Sequence, residues 1–151
     1  MTANEILDAV NARLLEQWPG RTVYRDVCPV DFERPSFWLW TERHPITDAT
    51  RFHQRHDLTA RLTIFDQLDE HAEASWERLS READEAMALL TPVLSVGERK
   101  LKLSLTAMPR QPDAATIQIT ASWMDARPGL AGEDDIPAAD SYQLRVRGDF
   151  R

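Results

Sequence analysis

Three groups of residues have types suited to chemistry. His53 and His56, followed by Asp57, supply the imidazole and carboxylate groups that ligate transition metals. Their spacing opposes a shared site, because positions three apart on a strand face opposite ways and converge only in a helix or loop. A solvated strand entrance fits better. Cys28 is the only cysteine, has no histidine close to it in sequence, and reads as a small buried or loop thiol rather than a nucleophile. Glu133, Asp134 and Asp135, inside the GLAGEDDIP segment from Gly129 to Pro137, offer oxygen ligands to a hard cation. They lack the alternating spacing of a calcium-binding helix–loop–helix, so an acidic surface loop is the expectation.

The sequence contains no G-x-G-x-x-G, G-x-x-x-x-G-K-[ST], G-x-S-x-G or H-E-x-x-H motif. With only five glycines, it also provides few places where backbone can approach a phosphate closely. We therefore assign no catalytic residue, no cofactor-binding residue and no metal ligand. The chain is expected to act by binding or assembly, not as an enzyme.

The elements that must position such a surface can be read from hydrophobic spacing. Thr2 followed by Glu5 is a capping-box pattern, and Ile6, Val10, Leu14 and Trp18 recur at helical intervals until Pro19-Gly20. A helix over about residues 3–17 follows. Thr22 to Val27 reads as a short strand, and Cys28 to Arg34 as a loop. In Ser36-Phe37-Trp38-Leu39-Trp40 both alternating faces are apolar, so this strand must be covered on two sides, within the subunit or by a neighbour.

Four later stretches alternate cleanly. They carry Leu58, Ala60, Leu62 and Ile64; then Leu101, Leu103 and Leu105; then Ile117, Ile119, Ala121 and Trp123; and finally Tyr142, Leu144 and Val146. Between the first two of these, Ala72, Trp76, Leu79, Ala83, Ala86 and Leu90 mark the apolar side of a second helix whose other side is acidic. From Asp66 to Glu85 eight acidic residues face only Arg78 and Arg81. The fold class predicted is α+β: an antiparallel or mixed sheet of about five to six strands with two helices packed on one face. The chain, 1–151, reads as a single domain of common size, with an irregular segment over about 125–140.

A net charge of −7 argues against a general nucleic-acid coat. The start of the chain has no secretory pattern, no apolar run reaches membrane-spanning length, and an intracellular, reducing setting fits the lone cysteine. Two features remain that an isolated monomer does not need. Trp38 and Trp40 are expected to stack on the outer sheet face, and tryptophan is enriched at interface hot spots. Arg55, Arg61, Lys100, Lys102, Arg145 and Arg147 are expected on or near that polar face, opposite the acidic helix. Opposed patches suit head-to-tail association, which closes into a ring when the rotation permits. All eight residues are candidate subunit-interface positions. The alternative is a nucleic-acid or peptide binding module using the basic sheet face; a small hydrolase or metal enzyme ranks below both.

The order of motifs resembles phage tail terminator or tail completion proteins. The resemblance rests on the N-terminal helix ending near Trp18-Pro19, the short strand with Val23-Tyr24, and the phrase FERPSFWLW from Phe32 to Trp40. It continues through the Arg-rich strand within Arg51 to Asp66 and the acidic helix from Glu70 to Leu90. Beyond Glu98 only the succession of strands matches, and the stretch from Ala126 to Ala139 is richer in Pro, Gly and acid than that pattern. The resemblance implies a homo-oligomeric ring, commonly a hexamer, that caps the tail tube and joins it to the head-tail connector protein. Its partners would be further copies of itself, the tail tube protein and the connector, with no membrane. DNA would pass through without specific binding. It also implies assembly in the bacterial host cytoplasm, residence in the virion tail, and no cofactor.

Overall fold

The computed structural model describes residues 1–129. Helix α1 covers Ala3–Gln17, and its start carries the full capping box: the Glu5 amide donates to Thr2 Oγ1 at 3.2 Å, and the Thr2 amide to Glu5 Oε2 at 2.6 Å. Ile6, Leu7, Val10 and Leu14 bury the apolar stripe of α1. Strand β1 (Thr22–Arg25) stops two residues short of the expected Val27, because Asp26 takes a positive φ of 61° and turns the chain away. Strand β2 (Ser36–Arg43) then runs parallel to β1.

Strand β3 (Ile46–Asp48) is a short exposed addition that hydrophobic spacing does not reveal. Strand β4 (His53–Phe65) is the central strand. It pairs antiparallel with β2 and β3 on one side and with β8 (Ala114–Ala126) on the other. Helix α2 (Trp76–Leu90) follows β4, the hairpin β5 (Val93–Val96) and β6 (Arg99–Lys102) comes next, and β7 (Ser104–Ala107) pairs with β8. Among the described residues this gives two helices, a mixed six-stranded sheet of path β1-β2-β4-β8-β7 with β3 on β4, and a separate two-stranded sheet. The α+β expectation holds.

Register decides which side chains meet. Phe37 pairs with Ile64, Leu39 with Leu62, and Leu62 in turn with Ile117, so the inward residues of three strands stack in rows beneath the helices. Leu58, Ala60, Leu62, Ile64, Ile117 and Ile119 are at most 1% exposed and share one core with the apolar residues of α1 and α2. Burial of this kind contributes about 1.5–3 kcal/mol for each large aliphatic or aromatic side chain.

The second helix differs from its sequence outline. It begins at Trp76, capped by Ser75, not near Glu70. Asp69 is the reason: its carboxylate accepts from the amides of His71 and Glu73, while the Ala72 amide bonds the Asp69 carbonyl. This local turn competes with the helix, and Ala72 is held at a positive φ of 60°. Trp76, expected inward, is 68% exposed, with the Arg110 guanidinium 4.4 Å from its ring centroid.

The stretch from Lys100 to Thr106, expected as one strand, is divided at Leu103 between β6 and β7, which belong to different sheets. Gly97, at φ +59°, makes the tight β5–β6 turn that draws Lys100 and Lys102 into the hairpin. Strand β8 extends through Asp125 and Ala126, which pair with Gln54 and His53, so those two residues are not in the irregular segment. The strand expected around Tyr142 to Val146 and most of the segment 125–140 lie outside the described residues, as do Arg145, Arg147, Glu133, Asp134 and Asp135.

Candidate interaction surface

Each strand that sends one set of residues into the core sends the alternate set to the opposite sheet face. On that outer face Trp38 stands beside Thr63 and Thr116, Trp40 beside Arg61 and Gln118, Thr59 beside Thr120, Asp57 beside Ser122, and Arg55 beside Met124. Phe37 and Leu39 are fully buried, whereas Trp38 and Trp40 are only half-buried. The two indoles stack on each other with centroids 4.0 Å apart and planes 24° from parallel. The Trp38 Nε1–H donates to the Asp26 carbonyl at 3.3 Å.

Part of the second covering layer that the β2 strand requires comes from the β1–β2 loop. Phe32 packs on Phe65, centroid to centroid 4.3 Å. The Arg34 guanidinium lies 4.8 Å from the Phe32 ring and donates to the carbonyls of Asp66 and Asp113 and to the Asp113 carboxylate at 2.9 Å. This clamp covers Phe65, which is 8% exposed, but leaves the tryptophan pair partly open. Met124, 50% exposed, adds apolar surface near the other end of β8.

The electrostatics of the face differ from its sequence outline. Arg61 forms a two-pronged pair with Glu42, at 2.8 and 2.9 Å, and Arg55 pairs with Asp57 at 3.1 Å. The Ser122 hydroxyl, and after it Arg55, hold the Asp57 carboxyl below the usual carboxylate range. Bonding to Glu42 raises Arg61 above its ordinary value. Arg55 and Arg61 are thus each matched by a neighbouring carboxylate, whereas Arg43, beside Thr59 at the end of β2, is exposed. Lys100 and Lys102 are exposed on the β5–β6 hairpin, which belongs to a different sheet from Arg55 and Arg61. Of the six cations expected on or near the polar face, Arg55 and Arg61 are on the main sheet, Lys100 and Lys102 are on the separate hairpin, and Arg145 and Arg147 lie outside the described residues.

The acidic helix is also less uniform than its sequence. Glu77, Asp84 and Glu85 are exposed, but Glu82 turns inward to meet Arg21 through two bonds of 3.1 Å. Asp66, before the helix, is buried with Arg78 Nε 3.2 Å from its Oδ2.

Of the residues with catalytic or metal-binding types, His53 and His56 are on opposite faces of β4, as period-2 geometry requires. His53 meets Thr50, with Nδ1 and Oγ1 3.3 Å apart, while His56 meets His44, a residue that the sequence did not single out. The β3–β4 register, with Ile46 opposite His56 and the Asp57 amide donating to the Pro45 carbonyl, brings His44 there. Cys28 is half-buried in the β1–β2 loop; burial pushes its thiol up against the opposing pull of Arg34, which keeps it protonated. Among the described residues no helix is long and apolar enough to cross a membrane, and no group of three or more His, Cys, Asp or Glu is placed to hold a metal ion. No protein-family model matches the chain, and no curated protein matches it.

Proposed function

We propose that this chain is a structural subunit of a phage-type tail, forming a homo-oligomeric ring that caps the tail tube and docks the head connector. The observation that carries the reading is the Trp38–Trp40 stack, held half-open on the sheet face away from the helices while Phe37 and Leu39 satisfy the core. Large aromatic surface in a fixed geometry favours association, because little side-chain freedom is lost when a partner covers it. The motif order from Trp18 to Leu90 supplies the family resemblance, and in this reading the protein has no catalytic role.

The internal pairing of Arg55 and Arg61 speaks against the nucleic-acid alternative. Phosphate binding draws its free energy from cations that release counterions, and these two already have carboxylate partners. The exposed acids of α2 would repel DNA from any wall they lined. The test is electron microscopy of the full chain added to a polymerising phage tail tube protein. Tubes of limited length with a ring at one end are expected; tubes that elongate unhindered overturn the proposal.

A further inference from the structure

His44, between β2 and β3, and His56, on the core-side face of β4, bring Nε2 and Nδ1 to 3.1 Å from each other. Two nitrogens bound to one cation at about 2.0–2.1 Å lie roughly 3.3 Å apart in a tetrahedral site and roughly 2.9 Å apart when adjacent in an octahedral one. The observed separation falls between these values. Trp123 stacks on His56 at 4.9 Å and 12°, and its ring centroid is 5.3 Å from that of His44. The indole is itself anchored: its N–H bonds Asp125 Oδ2 at 2.9 Å and the Met1 carbonyl at 3.2 Å. The anchored indole restricts the orientation of the two imidazoles by packing against them.

We propose that His44 Nε2 and His56 Nδ1 chelate a divalent transition cation of the zinc, nickel and copper class, with water completing its coordination. Imidazole nitrogen suits these cations and not magnesium or calcium, which prefer oxygen. The cation takes the place of the ring-to-ring hydrogen bond, the donor ring's proton moving to its other nitrogen so that both imidazoles stay neutral, and ties the β2–β3 connection to the central strand. The site is independent of the assembly reading, since both rings are on the core side and not with Trp38 and Trp40.

The chain contains four histidines, and the other two serve as internal controls: His53 is on the opposite strand face and His71 is exposed beside Glu70. The experiment titrates zinc chloride into the full chain and follows the imidazole signals by NMR, with calorimetry on His44→Ala, His56→Ala and His53→Ala. The expected result is that His44 and His56 signals move together, that either of their substitutions weakens zinc at least tenfold, and that H53A does not. Movement of His53 or His71 instead, or no movement, overturns the site. The wild-type NMR measurement decides the matter even if a variant fails to fold.

Discussion

Replacing Glu82 by Leu should destabilise the protein far more than an exposed acidic residue on a solvated helix would. Arg21 and Glu82 have side chains only 6% and 12% exposed, joined by two bonds of 3.1 Å, and the Arg21 guanidinium is 4.7 Å from the Phe37 ring centroid and 5.9 Å from that of Trp18. Removing one partner of a buried pair leaves the other charge uncompensated, at a cost of about 3–5 kcal/mol. The stacking on Phe37 and Trp18 survives the substitution, which favours the lower end, about 3 kcal/mol. Against a urea slope of about 2 kcal/mol per molar, the unfolding midpoint should fall by about 1.5 M. The double variant Arg21→Met with Glu82→Leu removes both charges and should return to within about 1 kcal/mol of wild type. Urea unfolding followed by far-UV circular dichroism gives all three values. A shift below about 0.3 M for E82L, or a double variant no better than the single, would refute the reasoning.

Further outcomes follow from other contacts. Thr2→Ala removes the side-chain acceptor of the α1 capping box and should cost about 1 kcal/mol, or about 3 °C in Tm by calorimetry. His44 is held below its ordinary proton affinity, so the unfolded chain takes up that proton first. Stability from this group is complete above the unfolded value of about 6.5 and is lost as pH falls from there through the folded value. His44→Gln should flatten the decline of urea stability between about pH 6.5 and pH 5, and an unchanged slope would count against it. Asp125 titrates lower still: burial raises its proton affinity, but bonds from the Met1 ammonium, Arg99 and Trp123 outweigh it and set the net shift downward. Its contribution is complete above the unfolded value of about 3.8, is lost as pH falls from there through the folded value, and should be missing in Asp125→Asn, as acid unfolding of the two proteins would show.

Periodicity reveals elements when one face alone is buried. The rows from Leu58 to Ile64 and from Ile117 to Trp123 fall inward as their alternation requires, because in each a polar set meets solvent and an apolar set meets the helices. Local chemistry overrides spacing where a side chain bonds its own backbone. Asp69 does so, and the start of α2 moves to Trp76. Leu101, Leu103 and Leu105 share an unbroken alternation, yet the chain changes sheets between Leu101 and Leu105. Leu101 and Leu103 are buried and Leu105 is half-buried against the same core, so the pattern carries no sign of the change.

Site residues follow the same logic. Trp38 and Trp40 are legible because β2 repeats aromatic residues on the face that its core does not need. The meeting of His44 with His56, of Arg61 with Glu42 and of Arg21 with Glu82 depends on strand register and helix placement, which composition cannot supply. Charge counts likewise do not show which cations find partners within the subunit.

The proposed ring requires self-association through the tryptophan face. Sedimentation velocity of the full chain at low and moderate salt and rising concentration tests it most directly, beside a Trp38→Ser/Trp40→Ser variant whose circular dichroism matches wild type. Wild type should assemble into a closed ring species while the variant sediments as a monomer. A wild-type chain that stays monomeric at every concentration and salt level would contradict the claim.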